Sequence, residues 1–278
     1  MQISDILTRT VDLSRVSSTP RLDLELLVCH VINRPRSFLF SHPEYTLTEK
    51  QALHLESLLK HRLIGHPIAH LTGSRDFWSL ELLVEPSTLI PRPDTEILVE
   101  QALECCDHRP RQVLDLGTGT GAIALALASE RPGWEVFGCD RIPEAVELAR
   151  KNATHNKLER VQFLESNWFA ELPEQTFDLI VSNPPYIRDD DPHLSQGDVR
   201  FEPVSALTSG SDGLDDIRHI AQESIRWLND DGWLMVEHGY DQGEDVRRIF
   251  TENGFKQVST AQDLSGHDRI TRGVKQAI

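Results

Sequence analysis

The sequence predicts an α/β fold in which a doubly wound, mostly parallel sheet follows a small helical segment. Three observations indicate this class. After residue 110, short apolar runs alternate with stretches of helical periodicity, as in strands joined by helical crossovers. Glycines recur at residues 117–121, directly after the first of these runs. Before residue 73, apolar residues recur only at helical spacing.

The composition limits the classes of function. The 278 residues allow one large or two medium domains, and we expect two. A net charge of −16 and an isoelectric point near 5.1 argue against unaided binding of a polyphosphate backbone, so we expect no direct nucleic-acid partner. The chain has no apolar stretch of about 18 residues and no basic-then-apolar N-terminus. We therefore expect no membrane span, no signal peptide and a cytoplasmic location.

The cysteines and histidines do not form a metal-binding pattern. None of the four cysteines belongs to a C-x-x-C pair or a zinc-type spacing, so we expect buried thiols. The nearest approach to a ligand set is His61, His66 and His70. Gly65 and Pro67 would interrupt any helix that aligned those three rings. We therefore expect no metal.

The N-terminal 73 residues show helical patterns and carry no residue typical of catalysis. Thr48, followed three positions later by Gln51, forms a capping box and predicts the start of a helix. The apolar face of that helix comprises Ala52, Leu55, Leu58, Leu59 and Leu63. We interpret residues 1–73 as a recognition or packing domain.

A short linker of strand-forming residues follows. Residues 77–84 are aromatic and β-favouring, which predicts a small hairpin. Prolines punctuate the connector up to Asp94 or Thr95, and either of these residues can cap a helix from residue 97 to about 106. Residues 89–93 are rigid and apolar, so we expect them to line a wall between the two domains, with an ordinary linker as the alternative.

The C-terminal part alternates strand and helix patterns and contains one long insertion. Predicted strands cover residues 113–116, 135–139, 161–164, 177–182, 233–237, 255–260 and 269–274. Predicted helices cover residues 122–130, 143–155, 213–228 and 242–253. The insertion from residue 187 to about 212 is long for a compact domain, so we expect it to be functional or disordered.

The glycine loop, residues 117–121, has the features of a nucleoside-binding turn. Its glycines allow a sharp turn and a close approach of a ligand to the backbone. Asp140 ends the second predicted strand, where a carboxylate can accept hydrogen bonds from both ribose hydroxyls. The loop also fits the dinucleotide pattern G-x-G-x-x-A, so by itself it does not choose between NAD and another nucleoside cofactor. Asp115, before the loop, favours a ligand with a positively charged amino acid end.

Two residues after the third predicted strand are candidates for adenine binding. Asn167 offers a polar acceptor, and Trp168 offers an aromatic face. Simple core packing is the alternative for Trp168.

The Asn-Pro-Pro-Tyr segment, residues 183–186, stands at the end of the strand predicted over residues 177–182. Its two prolines stiffen the turn, remove two N–H donors and keep Asn183 out of the α region. The Asn183 amide oxygen, the Pro184 carbonyl and the Tyr186 ring would then converge on a planar group that carries an NH2. The segment has no use in hydride transfer, and it resembles the signature of amino methyltransferases that use S-adenosylmethionine.

Over essentially the whole chain, the sequence resembles the release factor glutamine methyltransferases. The matching stretches are the glycine loop, the Asn-Pro-Pro-Tyr segment and residues 67–73, 89–96 and 196–203. The resemblance implies a helical N-terminal substrate-recognition domain over residues 1–73, a hairpin linker over 74–94 and a seven-stranded, Rossmann-like class I methyltransferase domain over 95–278. The implied reaction, a step of translation termination, moves a methyl group from S-adenosylmethionine to N5 of the glutamine in the Gly-Gly-Gln loop of class 1 peptide chain release factors.

The resemblance also implies functions for individual residues. The catalytic residues would be Asn183, Pro184 and Tyr186. The substrate glutamine would be held by Asn183, Pro184, Pro185 and Tyr186. The residues implied in binding S-adenosylmethionine are Gly117, Thr118, Gly119, Thr120, Gly121, Asp140, Trp168 and Asn183.

Two features depart from the family pattern. Asn167 stands where we expect an acid beside adenine, and it can accept from the N6 amino group without bringing a charge. Residues 274–278 lack an aromatic ending.

Two rival classes of function stay open. One is methylation of a glutamine in a ribosomal protein or of adenine N6 in DNA, and the acidic composition speaks against DNA. The other is a non-catalytic nucleotide-binding or adaptor protein, against which the intact motifs speak.

Overall fold

The computed structural model describes residues 1–276; Ala277 and Ile278, which belong to the C-terminal stretch without an aromatic ending, lie outside the described residues. The chain divides into two compact units. The first comprises Met1–Ser74 and Pro192–Phe201, and the second comprises Arg75–Asp191 and the residues from Glu202 onward. Within residues 1–276, no helix is long and apolar enough to cross a membrane.

The first unit is helical. Its helices are α1 (Ile3–Ile6), α2 (Thr10–Leu13), α3 (Pro20–Ile32), α4 (Arg36–Ser41), α5 (Glu49–Leu63) and α6 (Ile68–Thr72). Apolar faces of these helices meet in one core that includes Leu24, Leu27 and Leu55, all fully buried. The predicted capping box is confirmed, because the Thr48 hydroxyl accepts from the Gln51 N–H and the Gln51 side chain accepts from the Thr48 N–H.

Part of the long insertion belongs to this helical unit. Arg62 is buried and donates through Nε to Asp23 Oδ2 at 2.7 Å and through Nη1 to Asp198 Oδ1 at 3.1 Å. Arg200 donates to the Ile64 carbonyl at 2.7 Å. The insertion also contains the 3-10 turns Pro192–Ser195 and Val199–Phe201. These residues are therefore held by a partly buried ion pair and by hydrogen bonds to the helical unit.

The second unit contains a hairpin and a large sheet. The hairpin strands are β1 (Ser74–Phe77), whose first residue lies at the unit boundary, and β2 (Leu80–Leu83). The sheet strands are β3 (Gln112–Leu116), β4 (Glu135–Asp140), β5 (Gln162–Glu165), β6 (Phe177–Ser182), β7 (Leu228–Glu237), β8 (Lys256–Gln262) and β9 (Asp268–Val274). The helices are α7 (Glu96–Cys105), α8 (Ala122–Glu130), α9 (Pro143–His155), α10 (Asp215–Trp227) and α11 (Gly243–Glu252).

The strand order of the described sheet is β5-β4-β3-β6-β7-β9-β8. All pairs are parallel except those made by β9, which runs antiparallel to both β7 and β8. The chain moves outward from β3 through β4 to β5 and then returns to the other side of β3 with β6. A ligand-binding crevice is expected at this switch point, at the carboxyl ends of β3 and β6.

Both faces of the sheet are covered. Neighbouring residues alternate between two apolar clusters, with Val113 and Val181 in one and Leu114 and Ile180 in the other. Helices α7, α8 and α9 contribute to the first cluster, and α10 and α11 to the second. Burial on both faces explains why these strands read as continuous apolar runs in the sequence.

Strand β7 is longer than the sequence pattern predicts. It begins at Leu228, which pairs with Phe177, and it reaches the predicted start at residue 233 through four residues of turn-like composition. Two backbone hydrogen bonds of 2.9 Å, from Asp231 to Lys275 and from Lys275 to Gly232, hold this stretch. Because the stabilising partner is distant in sequence, local composition does not reveal the extension.

Candidate active site

A cavity of about 310 Å³ lies where the carboxyl ends of β3, β4 and β6 meet. This volume is within the range of small-molecule sites. The sequence-predicted residues on its wall are Gly117, Thr118, Gly119, Thr120, Asp140, Asn167, Trp168, Asn183 and Pro185. The structure thus brings together candidates that are up to 68 positions apart along the chain, from residue 117 to residue 185.

The glycine loop passes the cavity in left-handed conformations. Gly117 has φ +68° and Gly119 has φ +53°, values that glycine adopts without steric cost. A Cβ on Gly117 would stand 3.3 Å from the Trp168 ring. The loop is fixed by a hydrogen bond of 2.9 Å from the Thr118 N–H to the Cys139 carbonyl. These contacts leave the backbone close to any occupant of the cavity.

Asp115 lies beneath the loop and is not part of the cavity wall. It has no exposed surface, and its Oδ2 accepts from the Thr118 hydroxyl at 2.6 Å and from the Ala124 N–H at 3.2 Å. Burial raises the pKa of Asp115 to about 7. Its first function is therefore to tie the loop to the start of α8. The expected attraction of a charged ligand stays a prediction.

Asp140 stands at the end of β4 and faces the cavity. Its Oδ2 accepts from the Gly119 N–H and its Oδ1 from the Ile142 N–H, both at 3.0 Å. Burial raises the pKa of the carboxyl, and the backbone donors oppose that rise. Each oxygen retains further acceptor capacity, so the fixed carboxylate can still accept from a diol.

Gly121 has a packing function that the sequence analysis did not predict. It is absent from the cavity wall, and it has φ +83°. A Cβ at this position would lie 3.1 to 3.2 Å from Phe163, Ala149 and Leu125. The glycine is needed because α8 starts close against its neighbours. The predicted contact between Gly121 and the cofactor therefore has no support from the cavity geometry.

Trp168 lines the cavity in an uncommon backbone conformation, with φ +53°. Its carbonyl accepts from the Ser166 hydroxyl at 2.8 Å, which helps to hold that conformation. Non-glycine residues in this region are strained and are concentrated at functional sites. Neighbouring Asn167 is exposed and also faces the cavity, while its N–H donates to Glu171 at 2.7 Å.

The Asn-Pro-Pro-Tyr segment begins where β6 ends. The Ser182 hydroxyl donates to the Leu116 carbonyl at 2.8 Å and so joins the ends of β6 and β3. Asn183 and Pro185 line the cavity, whereas Pro184 is buried. Asn183 Nδ2 donates to Thr95 Oγ1 at 3.1 Å. One of the two Nδ2 protons is used in this bond, and the amide oxygen can accept from a ligand.

Tyr186 does not stand on the cavity wall. Its hydroxyl donates to Glu237 Oε1 at 3.2 Å, and its ring packs against the second apolar cluster. Burial, followed by the nearby Glu237 charge, raises the pKa of Tyr186, so the hydroxyl stays protonated. Tyr186 thus anchors the end of the segment in this structure, and the predicted packing on a substrate amide stays a prediction.

Glu237 is not on the cavity wall, but it contacts Tyr186 behind that wall, and the sequence analysis did not single it out. It ends β7, is 1% exposed and contacts Tyr186. Burial raises the pKa of Glu237 to about 7, while the hydroxyls of Thr95 and Tyr186 favour its charged form. A buried acid with a raised pKa beside a cavity is typical of functional sites. The feature of the sequence that could have identified Glu237 is an acidic residue at the end of an apolar strand.

Residues 88–95 supply another part of the wall. Leu89, Pro91, Arg92 and Thr95 line the cavity, and Thr88 joins them. Glu202 holds this stretch, because its carboxylate accepts from the Ile90 N–H at 2.8 Å and from Arg92 Nη2 at 2.5 Å. Within the second unit, these residues form a wall of the cavity.

Thr88 lines the cavity, but its hydroxyl oxygen is buried and has no partner among the described residues. Thr88 is 3% exposed, and its Oγ1 makes no hydrogen bond to any residue of the described chain. A buried hydroxyl is costly to leave unpaired. The hydroxyl is therefore an unsatisfied polar group close to the glycine loop.

Two family models match the chain. Residues 7–73 match the PrmC N-terminal domain, and residues 93–198 match the Methyltransferase small domain. Among curated relatives, the release factor glutamine methyltransferase of Escherichia coli is 50% identical over 273 residues, covering 98% of this chain and 99% of the relative. The release factor glutamine methyltransferase of Vibrio cholerae is 54% identical over 258 residues, covering 92% of this chain and 90% of the relative.

A solved structure shares the fold. It is a 16S rRNA methyltransferase of T. thermophilus in complex with AdoMet and guanosine, with a TM-score of 0.52 and 23% identity. The match covers 73% of this chain and 50% of that chain. Together with the family models, the described seven-stranded sheet confirms the predicted class I methyltransferase fold.

Proposed function

This chain belongs to the release factor glutamine methyltransferase family, and on that premise we propose that it methylates N5 of the glutamine in the Gly-Gly-Gln loop of class 1 peptide chain release factors. S-adenosylmethionine is the proposed methyl donor. The observation that carries the proposal is the position of Asn183, on the same cavity wall as the glycine loop, with Nδ2 committed to Thr95.

The cavity residues fit the proposed cofactor. Gly117 and Gly119 bring backbone close to the occupant, and Asp140 presents a fixed carboxylate suited to a ribose diol. Trp168 offers its ring to adenine. When bound, S-adenosylmethionine supplies an electrophilic methyl group.

The Asn-Pro-Pro-Tyr segment would bind the substrate glutamine. A carboxamide nitrogen is a poor nucleophile because its lone pair is delocalised into the carbonyl. Asn183 Oδ1 and the Pro184 carbonyl would accept the two N–H groups of that nitrogen and so orient it towards the methyl donor. Two prolines lack N–H donors, so no backbone donor of theirs competes with this arrangement.

The same acceptors favour the transition state. Positive charge grows on the glutamine nitrogen as the N–C bond forms and the S–C bond breaks, and oxygen dipoles that are already in place stabilise that charge. The methylated amide would then lose one proton to water, and the sulfur would leave as a neutral thioether. Asn183 is held by Thr95 before the substrate arrives, so little reorganisation is required. Orientation contributes as well, because transfer requires the nucleophile to lie in line with the breaking bond.

The proposed partner is a protein and not a nucleic acid. The chain has 44 acidic and 28 basic residues, a balance that opposes unaided binding of a phosphate backbone. Release factors act in translation, so the proposed location is the cytoplasm. DNA and ribosomal proteins serve as the alternative substrates in the test.

The test uses labelled S-adenosylmethionine with four acceptors: a class 1 release factor, its variant with alanine in place of the Gly-Gly-Gln glutamine, a ribosomal protein extract and DNA. Label on the unaltered factor alone is the expected result. Label on the alanine variant, the extract or DNA would contradict the proposed substrate. The Asn183→Ala enzyme provides the matched negative control.

A further inference from the structure

We propose that Thr95 is a positioning residue, which fixes the direction of the Asn183 side-chain amide by accepting from Nδ2 while Glu237 accepts the Thr95 proton. The inference rests on the proposed function, because it explains how the amide oxygen is directed to the substrate. Neither Thr95 nor Glu237 is part of the Asn-Pro-Pro-Tyr segment.

An asparagine amide is nearly symmetric in shape. Its oxygen and nitrogen have nearly the same shape, so packing alone does not decide which of them faces a cavity. The hydrogen-bond partner determines the orientation of the amide. In this structure Asn183 Nδ2 faces Thr95 Oγ1 at 3.1 Å, which leaves Oδ1 as the free end.

The Thr95 hydroxyl has to direct its proton away from Asn183. A hydroxyl has one proton, and it accepts from Asn183 only while that proton is directed elsewhere. Glu237 Oε2 is buried and has no hydrogen-bond partner among the described residues, and the electrostatics of this acid couple it to the Thr95 hydroxyl. In the proposal this open acceptor takes the Thr95 proton, because an ionised carboxylate only accepts. Thr95 is 4% exposed and Glu237 is 1% exposed, so solvent competes little for these bonds.

Glu237 also contacts the other end of the Asn-Pro-Pro-Tyr segment. Tyr186, the last residue of the segment, donates to Glu237 Oε1 at 3.2 Å. Asn183, the first residue, donates to Thr95, which in the proposal donates to the same carboxylate. One buried acid on β7 would then hold the segment at both ends. Without the Thr95 hydroxyl, the Asn183 amide could rotate. Its donor Nδ2 would then face the cavity in place of its acceptor Oδ1.

The experiment compares Thr95→Val, which keeps the shape and removes the hydroxyl, with Thr95→Ser, which keeps the hydroxyl. For Thr95→Val we expect kcat for release factor methylation to fall by about 10- to 100-fold, the cost of a small misplacement of a reacting group. Cofactor affinity by calorimetry should change by less than about threefold, since no hydrogen bond to the cofactor is attributed to this hydroxyl. Thr95→Ser should restore kcat to within about threefold of the wild type.

A double-mutant cycle separates positioning from a general structural effect. If Thr95 acts through Asn183, adding Thr95→Val to Asn183→Ala should change kcat by no more than about twofold. Losses that multiply would overturn the proposal, because Thr95 would then act independently. Thr271→Val is the matched control: Thr271 is a fully buried threonine hydrogen-bonded to His238, away from the cavity, and we expect its kcat to be unchanged.

The experiment distinguishes a failure of the positioning proposal from a failure of the proposed function. A wild-type enzyme that leaves the release factor unlabelled contradicts the proposed function. A wild-type enzyme that labels the factor, together with a fully active Thr95→Val variant, contradicts the positioning alone. Thermal unfolding checks that each variant is folded, and Thr95→Ala replaces the valine variant if valine does not fit.

Discussion

The Trp168 ring lies 3.3 Å from the point that a Cβ on Gly117 would occupy. Gly117 also has φ +68°, a conformation that disfavours a side chain. Gly117→Ala should therefore displace the ring and strain the loop, and we expect affinity for S-adenosylmethionine to fall roughly tenfold, about 1.4 kcal/mol, in calorimetry.

Gly133→Ala is the control for that measurement. Gly133 is exposed, and no atom lies within 4 Å of a Cβ added at this position. Its affinity should equal that of the wild type. Equal affinity in Gly117→Ala as well would mean that the glycine loop does not contact the cofactor.

Removal of the Asp140 carboxylate should weaken cofactor binding. Asp140→Ala loses the proposed ribose contact and the hydrogen bonds from the N–H groups of Gly119 and Ile142. We expect the dissociation constant to rise at least about tenfold, since hydrogen bonds to a charged group are each worth about 1.5–3 kcal/mol. Asp189→Ala, at an exposed acid of the insertion, is the control. No loss of affinity in Asp140→Ala would refute the ribose assignment.

Asn183→Ala should separate turnover from binding. The variant loses one acceptor that favours the transition state, so kcat should fall on the order of 10²- to 10³-fold. Cofactor affinity should stay within about threefold, because the glycine loop and Asp140 are unchanged. Single-turnover rates and calorimetry measure the two quantities. Turnover within about threefold of the wild type would exclude Asn183 from the mechanism.

Glu237 should make stability depend on pH. Burial raises its pKa from 4.5 to about 7 in the folded protein, with Asp94 acting in the same direction and Arg269, Tyr186 and Thr95 opposing. Between these two pKa values the folded state retains a proton that the unfolded chain has lost, so the free energy of unfolding falls as pH rises. Above about pH 7 this change is complete.

Glu237→Gln removes that titration. Relative to this variant, the wild type should lose on the order of 3 kcal/mol of unfolding free energy between pH 4.5 and pH 7. Urea unfolding of both proteins at several pH values gives the difference, which cancels other titrating groups such as Asp115. A difference that does not vary with pH would show that Glu237 is not buried as an acid.

The parts of the site that could be predicted from the sequence are those with local chemistry. Glycines in the loop and two prolines after Asn183 restrict the backbone whatever surrounds them. Alternating elements then place both stretches at the carboxyl ends of neighbouring strands, as observed for β3 and β6. The limits of α8, α9 and β6 also agree with the predicted limits.

The parts that could not be predicted depend on pairing between distant residues. Thr95 and Glu237 are 142 positions apart, and neither has a local pattern that reveals its partner. Asp115 and Gly121 also make contacts that their motif does not reveal, since the fold uses both residues to secure α8. In both cases the deciding contact is tertiary.

Strand β9 follows every other described strand in sequence, yet it lies inside the sheet between β7 and β8. While a ribosome is still making the protein, β7 has an open edge and β8 has no neighbour. The sheet closes only after residues 268–274 have emerged, so the nascent chain has a late window in which an exposed edge can pair wrongly.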